Sequence, residues 1–139
     1  MRGVLAAIAC LLAMISAQAR DLGQWDAVDP QVKLWYQHLV QPDNGLSCCG
    51  ESDAYWADEY HVDAKGNLIA TITDDRDDKP LGRYHVPLGT KYIVPQNKVV
   101  DATRQRGNPS GHTIIFLGTL FNNDPTTRPV LCWVGGGGS

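Results

Sequence analysis

The clearest helical pattern in the chain lies near its start. Asp29 and Pro30 suit the first turn of a helix, because an acid can cap free amides and proline needs no partner there. Apolar residues then recur at helical spacing, and they are Val32, Trp35, Tyr36, Leu39 and Val40. The proline and glycine at 42 and 45 end this pattern. We therefore predict one helix over about residues 30–40, with one apolar face packed on the core.

Short β-branched and aromatic runs between turn residues dominate the rest of the chain. Strands are predicted at 60–62, 68–73, 84–86, 91–94 and 128–134. The nearly continuous apolar run 112–118 is typical of a strand buried on both faces. Loops or turns are predicted at 46–55, 63–67, 74–80, 101–111 and 122–125, and residues 96–100 are predicted to form a turn or a short helical piece. Of these, 63–67 is predicted to be a hairpin turn and 74–80 an exposed polar loop.

These elements predict an α+β fold that is mainly β. One N-terminal helix packs on a small antiparallel sheet or half-open barrel, because hairpins connect most of the five or six strands. A single globular β-rich domain is expected over residues 20–134, and the glycine-rich residues 135–139 are expected to form a flexible tail.

Residues 1–19 have the pattern of a cleavable signal peptide. Arg2 precedes an apolar run at 4–15, and A-Q-A at 17–19 supplies the small residues that signal peptidase accepts. The run is shorter than the roughly 20 residues that a membrane-spanning helix needs. We predict a periplasmic or secreted mature protein without a transmembrane anchor.

The charge of the mature chain argues against one class of partner. It keeps 11 of the 12 basic residues and all 15 acidic residues, so its formal charge is −4. Nucleic-acid binding requires a basic surface, and a nucleic-acid partner is therefore not expected.

Three cysteines remain after cleavage: Cys48, Cys49 and Cys132. An odd number allows at most one intrachain disulfide and leaves one thiol. A bond between the adjacent pair would be strained, so we expect Cys132 to bond to Cys48 or Cys49. The spare cysteine would permit a disulfide-linked dimer.

Two short segments resemble motifs of the NlpC-type cysteine peptidases of the cell wall. G-L-S-C-C-G at 45–50 is similar to their G-x-D-C-S-G motif, and H-T-I-I-F-L-G at 112–118 is similar to their H-V-G-I-Y-L-G strand. The resemblance implies a cysteine-dependent cell-wall hydrolase with Cys48 as nucleophile and His112 as its base. Ser47 stands where that family has its acid.

A second resemblance spans most of the mature chain. W-Y at 35–36, P-D-N-G-L-S-C-C at 42–49, N-P-S-G-H at 108–112 and L-C-W-V at 131–134 are similar to a family of small secreted alphaproteobacterial proteins. That family has an S-C-C motif and a C-terminal C-[FYW]-V strand, and it implies export without implying a particular activity. Some members carry a further cysteine after the aspartate, where this chain has Ala54.

The residues favour an exported, non-enzymatic binding or structural accessory domain. Its partner would be a small ligand or an envelope protein. Asn108, His112 and Trp133 are the candidate binding residues, and the turn at 108–111 could present backbone amides to a ligand.

No cofactor or metal site is predicted. The histidines lack zinc-binding spacing, and the acidic residues at 74–78 lack the calcium-loop pattern. A periplasmic metal-binding or thiol-redox protein is kept as an alternative, because thiolate and imidazole ligands suit copper and adjacent cysteines could exchange disulfides.

Overall fold

A computed structural model describes residues 27–101, 107–119 and 124–136 of the chain. The predicted signal peptide, part of the predicted loop at 101–111, part of the turn at 122–125 and the end of the tail lie outside the described residues. The helices are α1 (Pro30–His38) and α2 (Asp78–Leu81). The strands are β1 (Ala54–Trp56), β2 (Glu59–Val62), β3 (Leu68–Thr71), β4 (Lys91–Val94), β5 (Val99–Val100), β6 (Ile114–Leu117) and β7 (Val130–Val134).

Helix α1 begins as the sequence predicts. The Asp29 carboxylate accepts a hydrogen bond from the Gln31 amide at 2.7 Å, and Pro30 is the first helical residue. The helix ends at His38, slightly earlier than predicted, because Leu39 adopts an extended conformation. Val40 therefore leaves the helical stripe and pairs with Ser47 in an isolated antiparallel bridge.

The strands form two sheets that are not closed into a barrel. A four-stranded sheet has the order β1-β6-β7-β5, and a three-stranded sheet has the order β2-β3-β4. Every pairing is antiparallel except that of β5 with β7, which is parallel. The predicted α+β, mainly β class is confirmed, and so is the hairpin turn between β2 and β3.

The elements lie in three layers, with the four-stranded sheet in the middle. Helix α1 packs on one face of this sheet and the three-stranded sheet packs on the other. Strand β6 is buried on both faces, as predicted, because Ile114 and Phe116 face α1 while Ile115 and Leu117 face the second sheet. Full burial of each such side chain contributes about 1.5–3 kcal/mol.

One disulfide joins the loop after α1 to β7. Cys48 and Cys132 are bonded, their Cα atoms are 5.6 Å apart, and both residues are fully buried. This confirms Cys132 as a disulfide partner and selects Cys48 over Cys49. The spare Cys49 is a half-buried free thiol with a φ of 77°.

Three local expectations were wrong. The segment 46–55 contains a 3₁₀ turn, Glu51–Asp53, and the start of β1, which is too short to give a pattern of its own. Residues 84–86 form no strand, because the Tyr84 carbonyl accepts the Tyr55 hydroxyl instead of a ladder hydrogen bond. The stretch 74–80 is not simply exposed: Asp74 is buried in an ion pair, and α2 begins within the stretch.

Neither helix in the described ranges has the length and apolar character needed to cross a membrane.

Candidate functional site

A cleft of about 200 Å³ opens between the start of α1 and the end of β1. Apolar and aromatic side chains form most of its wall, and three polar residues complete it. The lining residues are Val28, Val32, Tyr36, Trp56, Arg76, Ser110 and His112.

Trp56 is the central residue of the cleft. It ends β1, and strand alternation directs its side chain, like that of Ala54, toward the α1 layer. The His112 imidazole stacks on the Trp56 indole with ring centroids 3.8 Å apart and an interplanar angle of 10°. The Arg76 guanidinium carbon lies 4.1 Å from the centroid of the same indole. Stacking and cation–π attraction therefore hold three side chains together.

Asp58 sets the orientation of His112. Its Oδ2 atom lies 2.8 Å from His112 Nδ1, and its Oδ1 atom accepts the Thr113 amide at 2.8 Å. The carboxylate thus contacts both the His112 imidazole and the backbone amide of the next residue. Within the described chain, His112 Nε2 has no hydrogen-bond partner, so this atom remains available to a ligand.

Asp74 holds Arg76 in an equivalent way. Arg76 Nε donates to Asp74 Oδ1 at 2.8 Å and Arg76 Nη2 donates to Oδ2 at 2.6 Å. Asp74 also accepts the Trp56 amide at 3.0 Å and Arg83 Nη1 at 2.6 Å. Burial alone would raise the pKa of Asp74, but hydrogen bonds from Arg76 and Arg83 outweigh it and hold that pKa well below its usual range.

The two carboxylates therefore lie outside the lining of the cleft. Arg76 and His112 line it, whereas the carboxylates that hold them, Asp74 and Asp58, are not lining residues. Such an arrangement presents hydrogen-bond donors inside a mostly apolar wall.

Asn108 shapes the loop that carries His112. Its Nδ2 atom donates to the carbonyl oxygens of His112 and Gly135, both at 2.8 Å. Its Oδ1 atom accepts the Ser110 amide and hydroxyl at 3.0 and 2.6 Å. Because the Asn108 amide is used within the protein, its role is to brace the loop. The Ser110 hydroxyl is also bonded within this loop and contacts the His112 backbone.

Trp133, the third candidate binding residue, lies on the other face of the four-stranded sheet. It packs in the core between the two sheets, where its ring meets Tyr60 edge-on at 5.1 Å. Trp133 therefore takes no part in the cleft, and only His112 of the three candidates lines it.

Cys48 cannot act as the nucleophile that the peptidase resemblance implies. Its sulfur is bonded to Cys132 and the residue is fully buried, so there is no thiol for His112 to deprotonate. Burial and the nearby Asp53 carboxylate raise the pKa of the free Cys49, which disfavours its thiolate. Among residues 27–101, 107–119 and 124–136, no three His, Cys, Asp or Glu side chains gather as a metal site.

Comparison of the chain with known protein families, curated proteins and solved structures found no match.

Sequence reasoning missed Trp56, Asp58 and Arg76. An aromatic residue and an acid two positions apart after a short strand give a faint signal for Trp56 and Asp58. The sequence gives no signal for Arg76, because this residue stands between aspartates in a stretch that resembles a solvated loop.

Proposed function

We propose that this chain is an exported, non-enzymatic binding domain whose cleft takes a small organic anion with a flat apolar body. The observation that supports this most directly is the placement of Arg76 and His112. Both rest on Trp56 in the wall of an apolar cleft, and both are held from outside the cleft by carboxylates.

The size and lining of the cleft favour a ligand with a single ring. Val28, Val32 and Tyr36 add apolar surface to the lining, and this surface would cover a ring or short hydrocarbon. The volume of about 200 Å³ is below the roughly 300–1,000 Å³ of sites that enclose drug-sized molecules.

The free donors favour a carboxylate as the charged group. Arg76 uses Nε and Nη2 for Asp74, which leaves Nη1 without a bond in the described part of the chain. His112 Nε2 donates when the ring is protonated. A ligand carboxylate that contacts either atom would accept a charge-assisted hydrogen bond, which is stronger than a neutral one.

Export is part of this proposal. The signal-peptide pattern at 1–19 and the Cys48–Cys132 disulfide are both typical of proteins that fold in an oxidising compartment. A periplasmic or secreted location follows, and detection of the mature N-terminus at Arg20 in an extracytoplasmic fraction would test it.

The ligand proposal is tested by titrating benzoate into the mature protein and following amide and indole resonances by NMR. We expect saturable shifts that include the Trp56 indole, and weaker binding of the uncharged isostere benzyl alcohol. Arg76→Met should reduce benzoate affinity about tenfold, because it removes one charge-assisted contact. Lys91→Met removes an exposed cation from β4 and serves as the matched control.

Two results would overturn the assignment of the cleft. One is the absence of saturable shifts at Trp56 with either compound. The other is an equal loss of benzoate affinity in Arg76→Met and Lys91→Met. Because Asp74 keeps its bond to Arg83 in Arg76→Met, that variant should remain folded, and its unfolding curve checks this.

A further inference from the structure

Strand β2 is an edge of the three-stranded sheet, and no second strand in the described part of the chain pairs with it. It pairs with β3 on one side only, and all four of its residues are exposed. The Asp63 amide donates to the Asn67 carbonyl at 2.9 Å, and this bond determines which residues of β2 direct their backbone hydrogen-bonding groups toward β3. By antiparallel alternation, the backbone groups of Glu59 and His61 point toward β3, while those of Tyr60 and Val62 point to the free edge.

The ladder between β3 and β4 shows the same alternation. Ile72 donates its amide to the Thr90 carbonyl at 2.9 Å, so Ala70 also bonds toward β4. The alternate residues of β3, Ile69 and Thr71, therefore bond toward β2.

Tyr60 and Val62 also expose large apolar side chains. They are 51% and 66% exposed, although both point to the same side of the sheet as the buried Ala70 and Tyr92. Tyr60 already meets Trp133 edge-on at its inner side. The unpaired backbone groups and the uncovered apolar surface thus belong to the same two residues, which is the pattern of an edge that accepts another strand.

We propose that β2 pairs antiparallel with β2 of a second copy of this chain, with the two-fold axis at Tyr60. The two three-stranded sheets would then form one continuous sheet. Tyr60 would hydrogen-bond to Tyr60 of the second copy through the backbone, and the exposed apolar side chains would cover one another.

The carboxylates of β2 and of the turn after it select this register. A two-fold axis normal to the sheet leaves each side chain on the face that it already occupies. Residues that lie opposite each other in a ladder share a face, so their positions differ by an even number. The axis must therefore pass between the two copies of one residue. Centring on Tyr60 places Glu59 opposite His61 twice. Centring on His61 would place Glu59 opposite Asp63 twice, which is repulsive.

Centring on Val62 would require the hairpin turn to join the ladder. The Asp63 carboxylate already accepts the amides of Lys65 and Asn67 at 2.8 Å, which closes that turn. The Tyr60 register uses β2 itself and places Glu59 opposite His61 without setting two carboxylates against each other.

Sedimentation of the mature protein over a wide concentration series tests the dimer. All samples carry Cys49→Ser, so that a covalent dimer cannot form. We expect a reversible monomer–dimer equilibrium. Glu59→Lys and His61→Glu should each raise the dissociation constant about tenfold, because the first removes the Glu59–His61 contact and the second places two carboxylates opposite each other at both contacts.

Mixing the two single variants distinguishes the register. The lysine introduced at position 59 of one variant would lie opposite the glutamate introduced at position 61 of the other. At the second contact the native His61 would lie opposite the native Glu59, so the mixture should recover dimer. The double variant Glu59→Lys/His61→Glu should also recover it. Lys91→Glu, at the other edge of the sheet, makes a comparable charge change and should leave association unchanged.

A monomer at every concentration would overturn the proposal, and so would a mixture that fails to recover dimer. Because Glu59 and His61 are exposed, each variant should keep the unfolding midpoint of the parent protein, which separates lost association from lost folding. The outcome does not depend on whether the Trp56 cleft binds a ligand.

Discussion

Arg83 and Asp74 form an ion pair that is almost entirely removed from solvent. Arg83 Nη1 lies 2.6 Å from Asp74 Oδ2, and the two side chains are 1% and 0% exposed. The same guanidinium donates to the Ala54 carbonyl at 3.1 Å and to Asp78 Oδ1 at 2.6 Å. Arg83 therefore connects the stretch that begins at Asp74 to β1, and this connection places Arg76 at the cleft.

Replacing Asp74 with asparagine should destabilise the protein by about 3 kcal/mol. Loss of one partner leaves a buried charge poorly compensated, and such losses typically cost about 3–5 kcal/mol. Asp78 still contacts Arg83, so we expect the lower end of that range. Urea unfolding at neutral pH measures the change in free energy of unfolding.

Asp75→Asn is the matched control, because Asp75 is adjacent and exposed. Its free energy of unfolding should stay within about 0.5 kcal/mol of the parent value. Equal losses of unfolding free energy in the two variants would show that the net charge of this stretch, and not the buried ion pair, determines its contribution to stability.

The Asp74 ion pair should also make stability depend on pH. Its folded-state pKa lies below its usual value, so the unfolded chain binds a proton more readily than the folded chain does. The contribution is complete above the unfolded pKa of about 3.9 and is lost as the pH falls toward the folded pKa. The stability difference between the parent and Asp74→Asn should therefore narrow in acid. Urea midpoints measured from neutral pH downward test this, and a constant difference would contradict it.

The elements that sequence could predict are those with a local pattern. Helix α1 has a capping acid, a proline and an apolar stripe. Strand β6 lies in an apolar run that is typical of a strand buried on both faces. The hairpin before β3 carries its own turn residues. Each of these depends on residues that are neighbours in the chain.

The candidate site could not be predicted in this way, because its contacts join distant residues. His112 contacts Asp58, which is 54 positions away in the chain, and neither residue lies in a sequence motif that indicates the other as its partner. The choice between Cys48 and Cys49 also depends on the fold. The Cys48 amide donates to the Leu39 carbonyl at 3.0 Å, which places Cys48 beside the end of α1.

Removing the disulfide with Cys48→Ala/Cys132→Ala should lower the free energy of unfolding by about 4 kcal/mol. The bond closes a loop with a sequence separation of 84, so its loss restores considerable entropy to the unfolded chain. Urea unfolding without reductant measures the loss. Cys49→Ser removes a thiol outside the bond and should cost far less; a similar loss in both variants would contradict a selective role for the disulfide.

Cys49 should react slowly in the folded protein. Burial raises the pKa of its thiol, and the Asp53 carboxylate raises it further, so the reactive thiolate is scarce near neutral pH. Iodoacetamide labelling followed by mass spectrometry should therefore be slower for folded protein than for protein unfolded in urea.

Asp53→Asn tests the electrostatic part of this explanation. Without the carboxylate the pKa of Cys49 falls, and labelling of the folded protein should accelerate by a factor of about two to five. In urea the two proteins should label at equal rates, because the folded arrangement is gone. Rapid labelling of the folded parent protein would contradict the argument and would favour the thiol-redox alternative, since disulfide exchange proceeds through the thiolate.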